Sequence, residues 1–291
     1  RDVERYGVNW QHTYQLVIKF GAHEYLEQRY PAVYRHLCQF ETKLKNRGQC
    51  KYGRARKSQD ASKPYPGQHH WLELDNNPSD EYIGMFTGTK ILYQEIAQKL
   101  PFFFDKSEGY LVNDTCYIMT SNSVPLEALT AILNSSIFRA CFKDNFPENA
   151  GNTYRAKKSF FEKIPIKKPT PQQANLFAAL VPLIQFAKAD EQSAAYQFLE
   201  DLIDACVMEC YFRDHMAERD LLFLDQLAPT LDKVAQTFLS EEFSQDDRQE
   251  CLSYFLNLHN APTAKIRNQL DHLTTKSPDL LAIIKNEGKV E

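Results

Sequence analysis

The chain has no uninterrupted apolar stretch of about 18 residues, the length a spanning helix needs, so a membrane helix is excluded. Nor does a basic segment followed by an apolar run stand at its start, which is Arg1 rather than Met; a fragment without a secretion signal is expected. Its seven cysteines, Cys38, Cys50, Cys116, Cys141, Cys206, Cys210 and Cys251, are odd in number, scattered, and include no Cys-x-x-Cys pair. That argues against a disulfide framework and for a reducing, cytoplasmic setting. A zinc site can be drawn from Cys38, Cys50, His69 and His70, but zinc ligands usually come in close pairs on a turn, and this spacing offers none between the cysteines. No metal is therefore expected. Repeats of fixed period and low-complexity segments are absent too.

What is present is a strong charge asymmetry. The 291 residues carry a formal net charge of -4. Residues 1–170 hold 24 lysines and arginines against 18 acids, net +6, whereas residues 171–291 hold 10 against 20, net -10. The first part is suited to meet a polyanion and the second is not.

Three prolines between Pro165 and Pro171 forbid a continuous helix there and favour extended backbone, which places a boundary near residue 168. Before it the pattern is mixed. Pro31 opens a helix with Val33, Leu37, Phe40 and Leu44 at helical spacing. Strands are expected at Lys90–Ile96, Phe102–Asp105, Tyr110–Asn113 and Cys116–Thr120, and a helix begins at Pro125 with Leu126, Leu129, Ile132, Leu133, Ile137 and Cys141 on one face. Beyond the boundary the pattern is helical. Leu199, Leu202, Ile203, Cys206 and Cys210 form a stripe bordered by Glu200, Asp201, Asp204 and Glu209, and similar patterns at 221–239 and 248–258 predict a bundle.

The chemistry concentrates in Thr42–Lys63, which holds Lys43, Lys45, Arg47, Lys51, Arg54, Arg56, Lys57 and Lys63 against the single acid Asp60. A net +7 in 22 residues, with Gly48, Gly53 and Ser58 interspersed, suits a loop that approaches phosphates. Gln68, His69, His70 and Trp71 follow; Trp71 is expected to be structural and one of the two histidines to face DNA. A second basic stretch holds Asn152, Tyr154, Arg155, Lys157 and Lys158. Asn and Arg match adenine and guanine edges, while lysines act as point charges on phosphate.

Catalytic motifs are missing. The nearest string to the Asn/Asp-Pro-Pro-Tyr/Phe of amino-methyltransferases is Asn76-Asn77-Pro78-Ser79, without the second proline or the aromatic, and no glycine-rich strand-to-helix turn suits a nucleotide cofactor. Pro278-Asp279 with Glu287 and Lys289 superficially copies a nuclease pattern, but the gap is too short and too helical to place both acids on one metal.

Several pieces taken in order resemble a known family. They are Tyr30–Leu37 leading to Lys43–Gly48, Trp71–Leu74, Gly88–Ile96, Gly109–Ile118, Leu129–Ser135 and Phe160–Ile166. Over residues 25–170 the chain resembles the TaqI-like C-terminal specificity domain of type II restriction-modification methyltransferases. The resemblance implies a domain that reads double-stranded DNA across a cleft from a methyltransferase domain, which flips and methylates adenine. It also implies that pieces such as Leu133-Asn134-Ser135 are scaffold.

The expectation is an α/β (α+β) target-recognition domain with a mixed sheet, followed by an all-α helical bundle domain. Residues 1–24 would be a linker from a missing upstream methyltransferase domain, 25–168 the recognition domain and 169–291 the acidic helical domain. DNA contacts are assigned to Lys45, Arg47, Lys51, Arg54, Arg56, Lys57, Lys63, His69, His70, Asn152, Tyr154, Arg155, Lys157 and Lys158. No catalytic residue and no cofactor is expected in this fragment; S-adenosylmethionine would belong to the parent, and no membrane is a partner. Two other classes compete: a metal-dependent nuclease using Asp279, Glu287 and Lys289, marked by plasmid cleavage, and an acidic protein-interaction scaffold, marked by indifference to DNA.

Overall fold

Proline or a small polar cap marks the start of several helices. A computed structural model describes residues 2–50, 67–76, 78–106, 109–113, 115–149 and 151–285. Its contacts divide the chain into two compact units, residues 12–88 and residues 1–11 together with 89–291.

In the unit 12–88, α1 (Leu26–Arg29), α2 (Pro31–Cys38), α3 (Glu41–Lys45) and α4 (Asp80–Gly84) are all short. Pro31 stands in the first turn of α2, where its missing N–H costs nothing. The apolar spacing from Val33 to Leu44 does not give one helix: the chain breaks at Phe40 and restarts as α3. Ile18, Ala22, Leu26 and Leu72 form a small core against which Val33, Tyr34, Leu37 and Trp71 pack, so Trp71 is structural, as its sequence context suggested.

The other unit begins with the hairpin β1 (Val3–Glu4) and β2 (Gly7–Val8). These residues had been expected within a linker. Instead Tyr6 is fully buried, donates its N–H to the Phe102 carbonyl at 3.2 Å, and joins the main core, because an aromatic at a hairpin turn has apolar surface to bury.

Three antiparallel strands follow in the order β5-β3-β6, with β3 (Lys90–Gln94) between β5 (Phe102–Asp105) and β6 (Cys116–Met119). β4 (Ile96–Ala97), β8 (Thr153–Arg155) and β7 (Glu148–Asn149) make a second small sheet in the order β4-β8-β7. Tyr110–Asn113, expected as a strand, is not one: Tyr110 packs edge-on against Phe103 and Trp10, and the Asn113 side chain accepts the Thr115 N–H in a turn. The expected long helix is split at Ser135 into α5 (Leu126–Asn134) and α6 (Ser136–Asn145), and α7 (Lys158–Phe161) closes this part.

Asn134 and Ser135 show why the split is stable. Asn134 donates to the Phe102 carbonyl at 2.8 Å and accepts the Phe102 N–H at 3.1 Å, tying α5 to β5. The Ser135 hydroxyl caps α6 by accepting the Phe138 N–H at 3.2 Å. These residues are scaffold.

Past the prolines come α8 (Pro171–Ala189), α9 (Ser193–Ala217), α10 (Leu224–Leu239), α11 (Gln245–His259), α12 (Lys265–Lys276) and α13 (Pro278–Lys285). Pro171 sits at the start of α8 behind a capping box of Thr170 and Gln173. The prolines thus start a helix without ending the core. α8 is apolar around most of its circumference and packs on α10, α9 and α5. Its Leu176, Phe177 and Leu180 share one core with Ala128, Ala131 and Ile132 of α5 and Phe104 of β5. Opposite faces of α5 therefore serve two cores, since Leu129 and Leu133 join Phe102, Phe138 and Phe142 in the other. An α/β part followed by a helical part is what the structure contains. No helix among the described residues is long and apolar enough to cross a membrane.

Candidate functional site

The basic segment is closed at its base. Most of it, including Lys51, Arg54, Arg56, Lys57 and Lys63, lies outside the described residues. The residues on either side meet: the Gln68 N–H donates to the Gln49 carbonyl at 2.9 Å. Gly67 permits this approach, because a Cβ there would collide with the Gln49 carbonyl and stand 2.7 Å from the Cys50 Cα.

Arg47, assigned to DNA from its sequence context, is turned into this closure. Its guanidinium donates to the carbonyls of Trp71 at 2.7 Å and Glu73 at 2.5 Å and lies 3.4 Å from Asp75. Arginine's fixed fork of donors makes it suited to gather carbonyls from one turn. Glu73 is buried with its carboxylate fully used: it accepts the Gly21 N–H at 2.6 Å and the His70 N–H at 3.1 Å and contacts His23 Nδ1 at 2.7 Å. An acid inside the apolar run Trp71-Leu72-Glu73-Leu74 was the available signal for this role.

His69 also points inward. It is buried, with Nδ1 3.5 Å from Cys50 Sγ and Nε2 3.1 Å from Gln49 Oε1 and 3.2 Å from Asp75 Oδ1. His70 is half-buried, stacks on His23 at 4.5 Å, and accepts the Leu72 N–H through Nδ1 at 3.2 Å. Burial, then the neighbouring His23, lower its pKa to about 4, so it is neutral at physiological pH. Burial also raises the Cys50 thiol above its ordinary range. Lys45 is exposed, pairs with Glu41 at 2.5 Å, and places its ammonium 5.8 Å from the Trp71 ring.

In the other unit, the second basic stretch forms the β7–β8 turn and its exit. Gly151 and Asn152 both adopt positive φ, at 78° and 55°, which glycine and asparagine tolerate best, and Asn152 is exposed. Tyr154 packs edge-on against Phe142 at 5.0 Å, and Arg155 is held by Glu95, with Nε and a terminal nitrogen each 2.8 Å from Oε1. Lys157 and Lys158 are exposed, the latter 3.6 Å from Glu162. Of the described candidates, then, Lys45, Asn152, Lys157 and Lys158 face solvent, Arg47, His69 and Tyr154 are engaged within the fold, and His70 and Arg155 are partly exposed while held by Leu72 and Glu95.

The nuclease candidate Asp279 lies 3.7 Å from His215 and 3.6 Å from Arg219, while Glu287 and Lys289 are outside the described residues. A cavity of about 540 Å³ is lined by Glu4, Asn9, Phe103, Lys188, Gln192 and Tyr196 among others. Gly7, among its described lining residues, is in a two-residue strand.

The chain is an α+β part, with basic residues on both sides of its described segments, followed by a helical part. Residues 1–166 match the TaqI-like C-terminal specificity domain, and the chain belongs to that family. It is thus a DNA sequence-specificity module of the restriction-modification type. The match ends beside the proline run, where the α8 core begins. Among curated proteins no match was found.

Proposed function

We propose that this chain is the target-reading part of an adenine-specific DNA methyltransferase or a fused type II restriction-modification enzyme. Double-stranded DNA and the parent's methyltransferase domain are its partners, the cytoplasm its setting, and the chain has no catalytic centre of its own. One observation carries the reading: the family match over residues 1–166 coincides with the part of the chain, 1–170, that holds the positive excess. The parent enzyme would supply the S-adenosylmethionine site.

Exposed Lys45, Lys157 and Lys158, with Lys51, Arg56, Lys57 and Lys63, would contact phosphates; Asn152, Arg54 and His70 would read base edges. Arg47, His69, Tyr154 and Arg155 would hold the described ends of those two stretches in place. Fluorescence anisotropy of the full chain on labelled duplex DNA tests this at several salt concentrations. Affinity should fall with salt, and Lys51→Ala or Lys57→Ala should each flatten the logarithmic slope by roughly one. Salt-insensitive indifference to DNA would favour the acidic-scaffold reading, and calorimetry should detect no S-adenosylmethionine binding.

A further inference from the structure

We propose that Cys50, His69 and Asp75 form a binding site for one zinc-type dication. Composition alone paired Cys50 and His69 with Cys38 and His70; the structure replaces that pair with a carboxylate. One donor atom from each of Cys50, His69 and Asp75 falls within 4.8 Å of the others. Cys50 Sγ lies 3.5 Å from His69 Nδ1, and His69 Nε2 lies 3.2 Å from Asp75 Oδ1. Tetrahedral zinc with bonds of about 2.0–2.3 Å spaces its donors about 3.3–3.8 Å apart, so a displacement of about 1 Å closes the set on one imidazole nitrogen. Thiolate, imidazole and carboxylate together are the donors zinc prefers.

Two further observations favour a cation. Asp75 Oδ1 is shielded from solvent and accepts no hydrogen bond, although the side chain as a whole is 37% exposed. Arg47 and His69 Nε2 approach it at 3.4 and 3.2 Å without forming a hydrogen bond, so its lone pairs stay open to a coordinating cation. Arg47, 3.4 Å from that oxygen, supplies charge without a hydrogen bond and is anchored by the Trp71 and Glu73 carbonyls whether or not a metal is bound. The donors are also held by backbone: Gln68 N–H bonds the Gln49 carbonyl, and Asn76 N–H bonds Gln49 Oε1 at 2.9 Å. Gln49 Oε1, 3.1 Å from His69 Nε2, or a water can fill the fourth position. Cys50 precedes residues 51–66 and the other two ligands follow them, so the metal joins the two ends of the basic segment.

The test is titration of the full chain with Co²⁺, followed by absorption spectroscopy, with metal content of the zinc-loaded chain measured by mass spectrometry. One Co²⁺ per chain is expected, with a thiolate charge-transfer band that is lost in Cys50→Ala and His69→Ala and kept in Cys38→Ala and Cys141→Ala. Asp75→Asn, at a partly exposed position, keeps the band but binds more weakly, and Zn²⁺ raises its melting midpoint less than that of the unaltered chain. A folded chain, verified by circular dichroism, that takes up no Co²⁺ would overturn the proposal. So would a band that survives in Cys50→Ala or disappears in Cys38→Ala.

Discussion

At the scale of single residues, buried charge and buried imidazole make the sharpest claims. Lys90 and Asp105 face each other across β3 and β5 at 2.6 Å with both side chains fully buried. Replacing Lys90 takes the ion pair from the buried Asp105 carboxylate, so Lys90→Met should cost about 3–5 kcal/mol in urea unfolding. A change below about 1 kcal/mol would show that Asp105 finds other compensation.

His259 in α11 is buried against Thr230, whose hydroxyl donates to the Leu227 carbonyl; His259 Nε2 therefore donates to that oxygen at 3.1 Å. Burial lowers its pKa from 6.5 to about 4. The unfolded chain takes up a proton that the folded chain refuses, so this contribution to stability is full above pH 6.5 and lost as pH falls through 4. About 3 kcal/mol should disappear across that window. His259→Gln, which keeps a donor to Thr230, should remove one proton's worth of the pH slope in denaturation series; an unchanged slope would refute the assignment.

At the scale of elements, the acidic border of α9 is not what helical spacing suggests. Asp204 accepts the Ser136 N–H at 2.7 Å at the start of α6, and burial, partly offset by that bond, raises its pKa. Glu209 accepts the N–H groups of Phe223 at 2.7 Å and Leu224 at 3.0 Å, where α10 begins, and pairs with Arg213 at 2.5 Å. Helix starts expose unpaired N–H groups and a positive dipole end, which a carboxylate from another helix satisfies. Glu209→Ala should therefore cost about 2–3 kcal/mol, against less than about 0.5 kcal/mol for a solvated acid, in chemical denaturation. The split of the helix at Ser135 has the same origin: the apolar face continues, but the buried polar groups of Asn134 and Ser135 are spent on Phe102 and on the α6 cap.

At the scale of the whole molecule, the proline run separates patterns of sequence without separating the packing. Tyr211 of α9 accepts the Lys167 N–H at 3.1 Å, and Ile166 packs against both large cores. A chain ended after Lys168 would leave Ala128, Ala131 and Ile132 of α5 uncovered. Such a fragment should lack the cooperative thermal transition that the full chain shows by circular dichroism. A sharp, reversible transition in the fragment would mean that the recognition part folds without α8.

The sequence by itself determined the charge split, the proline-started helices, β5 to the residue, the helical character of the second part and the family, because each depends on local spacing or on the order of short motifs. Tertiary structure alone decided the employment of polar side chains. Arg47 and Arg155 resemble phosphate contacts in any local window, yet one gathers carbonyls from residues 24 and 26 positions away and the other pairs with an acid 60 positions away. Cys50, His69 and Asp75 lie on the two sides of the basic segment and meet because Gly67 lets the backbones touch. A side chain's partner is fixed by where the chain returns to, and that return is set by burial across the whole fold rather than by neighbours in sequence.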